Sequence, residues 1–344
     1  MKLRSMMLAA LAMALTSACA HAPMPRESQL QESASHGDGL EATASAIHQT
    51  LRAHHFRPTE LEGEPYRQLE DAVTTLASTA TDGEAFRTGF NALWKRGPFS
   101  HVALLVAEET AAERYARLDT MPGGETAVAL DWKGDAAILT VNTMSGADTI
   151  ERIEAAYDTI ALRKPERLVI DLRDNTGGAF AVVPLVGHLI TQPLNAGVFV
   201  SAAWYLDHAA PPGAADYPTA TPWRGYSVRA FQADMLSRPL TGYRIEPMQP
   251  HYAGRVFVLT SARSISAAEI AVEVLKSQGR ATVVGERTPG VVLSSKRFDI
   301  SGGYQLLVPI ADYYATGSGR IEGVGVAPDI AVDADDALEI ALAL

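Results

Sequence analysis

The sequence predicts an α/β fold preceded by a small N-terminal helical domain, and three patterns carry that prediction. Apolar residues first recur at helical spacing, through Leu40, Ile47 and Leu51, then Leu69, Val73 and Leu76, then Phe86, Phe90, Leu93 and Trp94. From about Val128 the period changes, and short apolar strands alternate with amphipathic helices. The most informative unit is Arg255–Ile270 (RVFVLTSARSISAAEI), in which a buried strand runs through a short polar turn into a helix opening on Ser266-Ala267-Ala268-Glu269.

Taken in order, the chain begins with a segment that does not belong to the fold. Lys2 and Arg4 precede an apolar run from Met6 to Leu15, too short to span a bilayer, and small residues follow at Thr16-Ser17-Ala18. Residues 1–18 therefore read as an export signal. Cys19, the only cysteine, lies where a lipoprotein signal places its acylated residue, although Thr16 stands where leucine is usual and ordinary cleavage also fits. The expected location is the bacterial cell envelope, in the periplasm, with a lipid anchor on Cys19 to the outer membrane. Residues 19–38 are polar and aperiodic, which suits a tether. Residues 39–124 then form the helical domain and residues 125–344 the α/β domain.

Within the second domain, Ala136–Val141 is a strand, Thr149–Arg163 an amphipathic helix and Leu168–Arg173 a second strand, together a β-α-β crossover. Gly177-Gly178 follows, then an apolar helix from Ala179 to about Ile190 and a strand near Val198–Trp204. The alternation continues with the strand at Val256, the helix Ser266–Lys276 and a strand at Ala281–Val284. Asp207 to about Pro250 is rich in Pro, Gly and Ala and reads as an insertion that walls a cleft. Arg297–Ile300 and Tyr304–Tyr314 flank Ser301-Gly302-Gly303 as a hairpin.

Composition limits what the chain does. Its 344 residues, 47 % of them hydrophobic, suffice for one large core and a satellite domain. A formal charge of −11 with no basic face excludes nucleic acid as a partner. His54-His55 has no acid cluster or cysteine at metal spacing, so neither a metal nor any other cofactor is implied.

Ser266 admits two readings. Ser-x-x-Glu before an apolar helix is a capping-box signature. The same position, at the positive end of a helix dipole beside unpartnered N–H groups, also suits a nucleophile whose oxyanion must be held.

The motifs taken together resemble one family. Leu168–Gly178 (LVIDLRDNTGG), Ser266-Ala-Ala-Glu269 about ninety residues later, and Gly279–Thr288 (GRATVVGERT) are similar in order and spacing to the C-terminal processing (tail-specific) serine peptidases. The resemblance implies a crotonase/ClpP-like core of ββα units and a peptide or protein substrate. Members of the tail-specific branch pair the serine with a lysine in a Phe-Gly-Lys-Gly setting, whereas this chain has Pro289-Gly290-Val291-Val292 there. A second, tricorn-core and retinoid-binding-protein-like branch lacks the PDZ domain and takes its base from a Ser-His pair in the N-terminal domain, with a glutamate near the C-terminus. Ser100-His101 and Glu322, in RIEGVGVAPDI, match that layout. The thirty-odd residues between His101 and Ala136 are too few for a PDZ domain.

The resemblance thus implies Ser266 as nucleophile, His101 as base, and Ser100 and Glu322 as the groups that orient and stabilise the imidazole. The N–H of Ala267, with one from Gly177 or Gly178, would hold the oxyanion. Asp171, Arg173 and Asn175 read as structural ties and Glu269 as the helix cap. Two alternatives remain: a Ser-Lys dyad using Lys296, in a stretch (Ser294–Arg297) that reads as solvated, and a non-catalytic ligand-binding protein on the same fold.

Overall fold

The computed structural model describes residues 36–344; the expected signal, Cys19 and most of the tether lie outside the described residues. The helical block forms as its periodicity predicts, with α1 (His36–His54), α2 (Glu64–Thr79) and α3 (Gly83–Arg96). Helix α1 begins at His36, two residues before the expected end of the tether at Asp38. Pro65 opens α2, where its missing N–H costs nothing, and Asp82 caps α3 by accepting the Ala85 N–H at 2.8 Å.

A four-residue strand that the sequence does not foretell follows at β1 (Ala103–Val106), and then α4 (Ala111–Leu118), opened by a Thr110–Glu113 capping box. Tyr66, Phe86, Phe90 and Trp94 pack with Leu104, Ile300, Leu306 and Val308, so the helices share one core with the strands beneath them. Residues 36–344 form a single compact unit.

The chain continues through β2 (Val128–Lys133), β3 (Ala136–Val141), α5 (Ala147–Arg163), β4 (Arg167–Asp171), α6 (Val182–Gly187) and β5 (Leu194–Ser201). Next come β6 (Thr221–Pro222), α7 (Val228–Ser237), β7 (Leu240–Ile245), β8 (Arg255–Thr260), α8 (Ala267–Ser277) and β9 (Thr282–Gly285). The hairpin β10 (Ser294–Ile300) and β11 (Tyr304–Ala315), then β12 (Gly319–Arg320), β13 (Ile330–Ala331) and α9 (Ala337–Ala343) complete it.

Two sheets result. One runs β13-β9-β8-β4-β3-β2 and is parallel except for the β2–β3 hairpin; the other is mostly antiparallel, in the order β1-β11-β5-β7-β6, with β10 also on β11. Strand alternation explains the layering. Ala137, Leu139 and Val141 of β3 face the main core with residues of α5, α6, α8, β5, β7 and β11, while Ile138 faces Ala337 and Ala341 of α9 on the other side.

Three expectations need correction. Helix α6 spans six residues, Val182–Gly187, not the whole of Ala179–Ile190, and the flanking apolar residues are buried outside the helix. Strand β5 begins four residues before the expected Val198. The 207–250 stretch is more than an insertion, since it supplies α7 and β7, and β7 pairs with β5 inside the antiparallel sheet.

Candidate active site

Strands β4 and β8 are parallel neighbours, with Asp171 opposite Leu259, so the loops that leave their carboxyl ends meet. The turn after β8 is held from several directions. Ser261 Oγ donates to the Arg173 carbonyl at 2.6 Å, Ser264 Oγ donates to the Leu172 carbonyl at 2.8 Å and accepts the Ser261 N–H at 2.9 Å, and the Ile265 N–H donates to the Asn175 carbonyl at 3.0 Å. Ser264 is fully buried by these bonds. Ser266 is the serine that reaches the cleft, and it does so at φ 59° and ψ −120°, a conformation L-residues avoid and that only a well-pinned turn sustains.

The capping box is used unequally. Glu269 Oε2 accepts the Ser266 N–H at 3.0 Å, whereas the Ser266 hydroxyl, although placed near the N3 N–H as a capping box requires, makes no cap hydrogen bond. Glu269 has further work that its reading as a cap misses, since it also accepts from Gly290 N at 2.6 Å and Val291 N at 2.8 Å.

The glycine loop after β4 lies against the serine. A Cβ on Gly177, whose φ is +87°, would stand 2.7 Å from the Ser266 Cβ, so only glycine fits. Asn175, wholly buried, donates to the Val141 carbonyl at 2.8 Å and accepts the Gly177 N–H at 2.9 Å. The Gly177 N–H is thereby occupied. Gly178 and Ala267 line the cleft beside Ser266, and Ala267, as the first residue of α8, has no intrahelical partner for its N–H. Asp171 and Arg173 are structural ties as expected, joined at 2.6 Å, with Arg173 also donating to the Ala334 carbonyl.

The second cluster comes from both ends of the chain. His101 Nδ1 is 3.0 Å from Ser100 Oγ, which donates to Glu322 Oε1 at 2.9 Å. Glu322 is buried, and its other oxygen accepts from Val292 N at 2.7 Å and Leu293 N at 3.2 Å. A hydroxyl has one proton to give. Because Ser100 gives its proton to Glu322, it can only accept from His101, which fixes the imidazole as the Nδ1–H tautomer and leaves Nε2 with its lone pair. Burial lowers the His101 pKa below its usual value, and the Glu322 carboxylate opposes that shift only in part.

The structure therefore joins Ser100, His101 and Glu322 in one hydrogen-bonded chain and groups Ser266, Gly177, Gly178 and Ala267 in a second cluster. No hydrogen bond joins His101 to Ser266 among the described residues. Gly178, Ser266 and Ala267 line a cavity of about 630 Å³, and Ser100 and His101 line a separate depression of about 470 Å³. Residues 290–293 connect them, held by Glu269 on one side and Glu322 on the other. Phe180, Phe199, Phe231, Tyr243, Ile270 and Val292 give the larger cavity an apolar wall, to which the 207–250 stretch contributes.

Lys296 is half-buried rather than fully solvated. Its Nζ lies 4.7 Å from the centre of the Tyr115 ring, and burial lowers its pKa, but it is absent from the cleft wall to which its neighbour Arg297 contributes.

This architecture has known relatives. Residues 135–332 match the model of peptidase family S41. The chain belongs to that family, whose members are serine-type peptidases. It is 28 % identical over 237 residues to the chloroplastic carboxyl-terminal-processing peptidase 2 of Arabidopsis thaliana, a match covering 68 % of this chain and 38 % of that protein. Among solved structures, the photosystem II D1 C-terminal processing protease superposes with a TM-score of 0.54 at 14 % identity, over 86 % of this chain and 94 % of that one. Mature CPAF complexed with lactacystin gives 0.56 at 14 % identity, over 88 % and 95 %. A lipoprotein from Streptococcus agalactiae gives 0.56 at 14 % identity, over 89 % and 95 %.

Proposed function

We propose that the protein hydrolyses peptide bonds with Ser266 as nucleophile and His101 as its general base. The observation that carries this reading is the hydrogen-bonded chain His101–Ser100–Glu322, which leaves Nε2 bare and the imidazole neutral. When substrate fills the cleft, Nε2 comes within reach of the Ser266 hydroxyl and takes its proton as Oγ attacks the carbonyl carbon. The Gly178 and Ala267 N–H groups receive the oxyanion, and losing one such donor costs about 3–4 kcal/mol of transition-state stabilisation. His101 then returns the proton to the departing amine. Water repeats the sequence to free the acyl-enzyme.

The aromatic wall suits a large apolar side chain next to the bond that is cut. An apolar ligand would also fit there, but a binding cleft has no use for a strained serine and a buried Glu322. The N-terminal pattern supports an exported, Cys19-acylated protein, which Cys19→Ser would release from membranes. A fluorophosphonate probe tests the catalytic reading: label mapped to the peptide carrying Ser266 supports it, and no label, or label elsewhere, rejects it.

A further inference from the structure

One charge in the cleft has no part in the chemistry above. Arg297, on β10, lines the same cavity as Ser266 and is half-buried, yet only its backbone is engaged, its N–H donating to Tyr115 Oη at 2.8 Å. No carboxylate lies within ion-pair distance of its guanidinium among the described residues. Other half-buried guanidiniums have partners, as Arg173 has Asp171, Arg238 has Asp234, and Arg280 has three backbone carbonyls.

A second cation makes the arrangement less favourable still. Arg114, from α4, lines the same wall, and burial first, then the Arg114 charge, push the Arg297 pKa down. The acids nearby are committed or remote. Glu109 is paired with Arg117 and, at 3.8 Å, with Arg114, and it and the exposed Glu108 act on Arg297 only from beyond ion-pair distance, opposing the downward shift in part. Asp119 accepts from Ser227 Oγ at 2.7 Å and Val228 N at 2.6 Å, and Glu151 is exposed at the rim. A guanidinium remains charged at any ordinary pH, so Arg297, half-buried beside a second cation and with no ion-pair partner of its own, is relieved when an anion enters. The planar fork matches a carboxylate in particular.

On the reading of this cleft as a peptidase site, we propose that Arg297, supported by Arg114, forms a subsite for a carboxylate of the bound peptide. Ser294 follows the 290–293 segment beside Ser266, and the strand from there to Arg297 rises about 10 Å, so the carboxylate belongs roughly three to five residues from the bond that is cut. An acidic side chain and a free C-terminus offer the same group.

The experiment separates those sources and does not depend on turnover. Fluorescent peptides with one large apolar residue are bound to the Ser266→Ala protein and read by anisotropy, with Glu or Gln at each position outward from the apolar residue, and with an acid or amide terminus. At one position Glu should bind at least about tenfold more tightly than Gln, or the acid more tightly than the amide, the scale of one charge-assisted bond. That ratio should fall to within about twofold when Arg297→Gln is added and persist when the exposed Arg229→Gln is added instead. Because a ratio is taken within each variant, loss of folded protein does not mimic the effect. Failure of the catalytic reading would appear separately, as absence of probe labelling in the wild type. Equal binding of every pair, or a preference that survives Arg297→Gln, overturns the subsite.

Discussion

Ser100 donates its hydroxyl proton to Glu322 at 2.9 Å, across 222 positions of sequence, and that direction determines which nitrogen of His101 is free. Ser100→Ala removes both the acceptor for Nδ1–H and the link to the carboxylate. It should lower kcat by about tenfold to a hundredfold, less than the hundredfold or more expected for losing the base itself, with KM little changed. Steady-state kinetics on a quenched peptide checks this, and an unchanged kcat would remove Ser100 from the mechanism.

The pH profile follows from the sign of the His101 shift. A free imidazole titrates near pH 6.5, but burial lowers this one, so the neutral base persists to more acidic pH. The acid limb of kcat/KM should have its midpoint below 6.5. A midpoint above 6.5 would mean that the Glu322 charge outweighs burial.

The two serines of the turn should separate cleanly. Ser264→Ala strands the Ser261 N–H inside the protein, although the Leu172 carbonyl keeps the Asn175 N–H, and should cost about 1–3 kcal/mol of stability, while the surviving folded protein still reacts with the probe. Ser266→Gly should abolish labelling and raise stability by about 1 kcal/mol or more, as glycine relieves the strain at φ 59°. Denaturant unfolding and labelling of the two variants test both arms.

How far the sequence foretold this depends on the element. Strand β3 has the expected limits, because its buried apolar run is bracketed by Asp135 and Asn142. Helix α7 and strand β7 escape the reading because proline and glycine surround them and Thr241-Gly242 weakens the alternation of Leu240, Tyr243 and Ile245. Strand β1 is four residues long and exists only because β11 offers an edge.

At the site, the grouping of Ser100, His101 and Glu322 was legible only through the resemblance to the family, whereas the structural role of Asn175 was legible from its place after a buried strand. The second duty of Glu269 and the grip of Glu322 on Val292 and Leu293 were not, since backbone acceptors leave no mark on side-chain pattern. Arg297 sat unnoticed beside Lys296 for a related reason: alternation along β10 assigns one to the cleft and one to the Tyr115 ring only once the strand's orientation is fixed.

The central claim is that the base is an imidazole held by Ser100 and Glu322. The most direct measurement is kcat/KM on one peptide for the wild type, His101→Ala and Lys296→Ala. A loss of at least about a hundredfold in His101→Ala, with Lys296→Ala close to wild type, is the predicted result. A fully active His101→Ala protein beside an inactive Lys296→Ala protein would contradict it and return the chain to the lysine-using branch of the family.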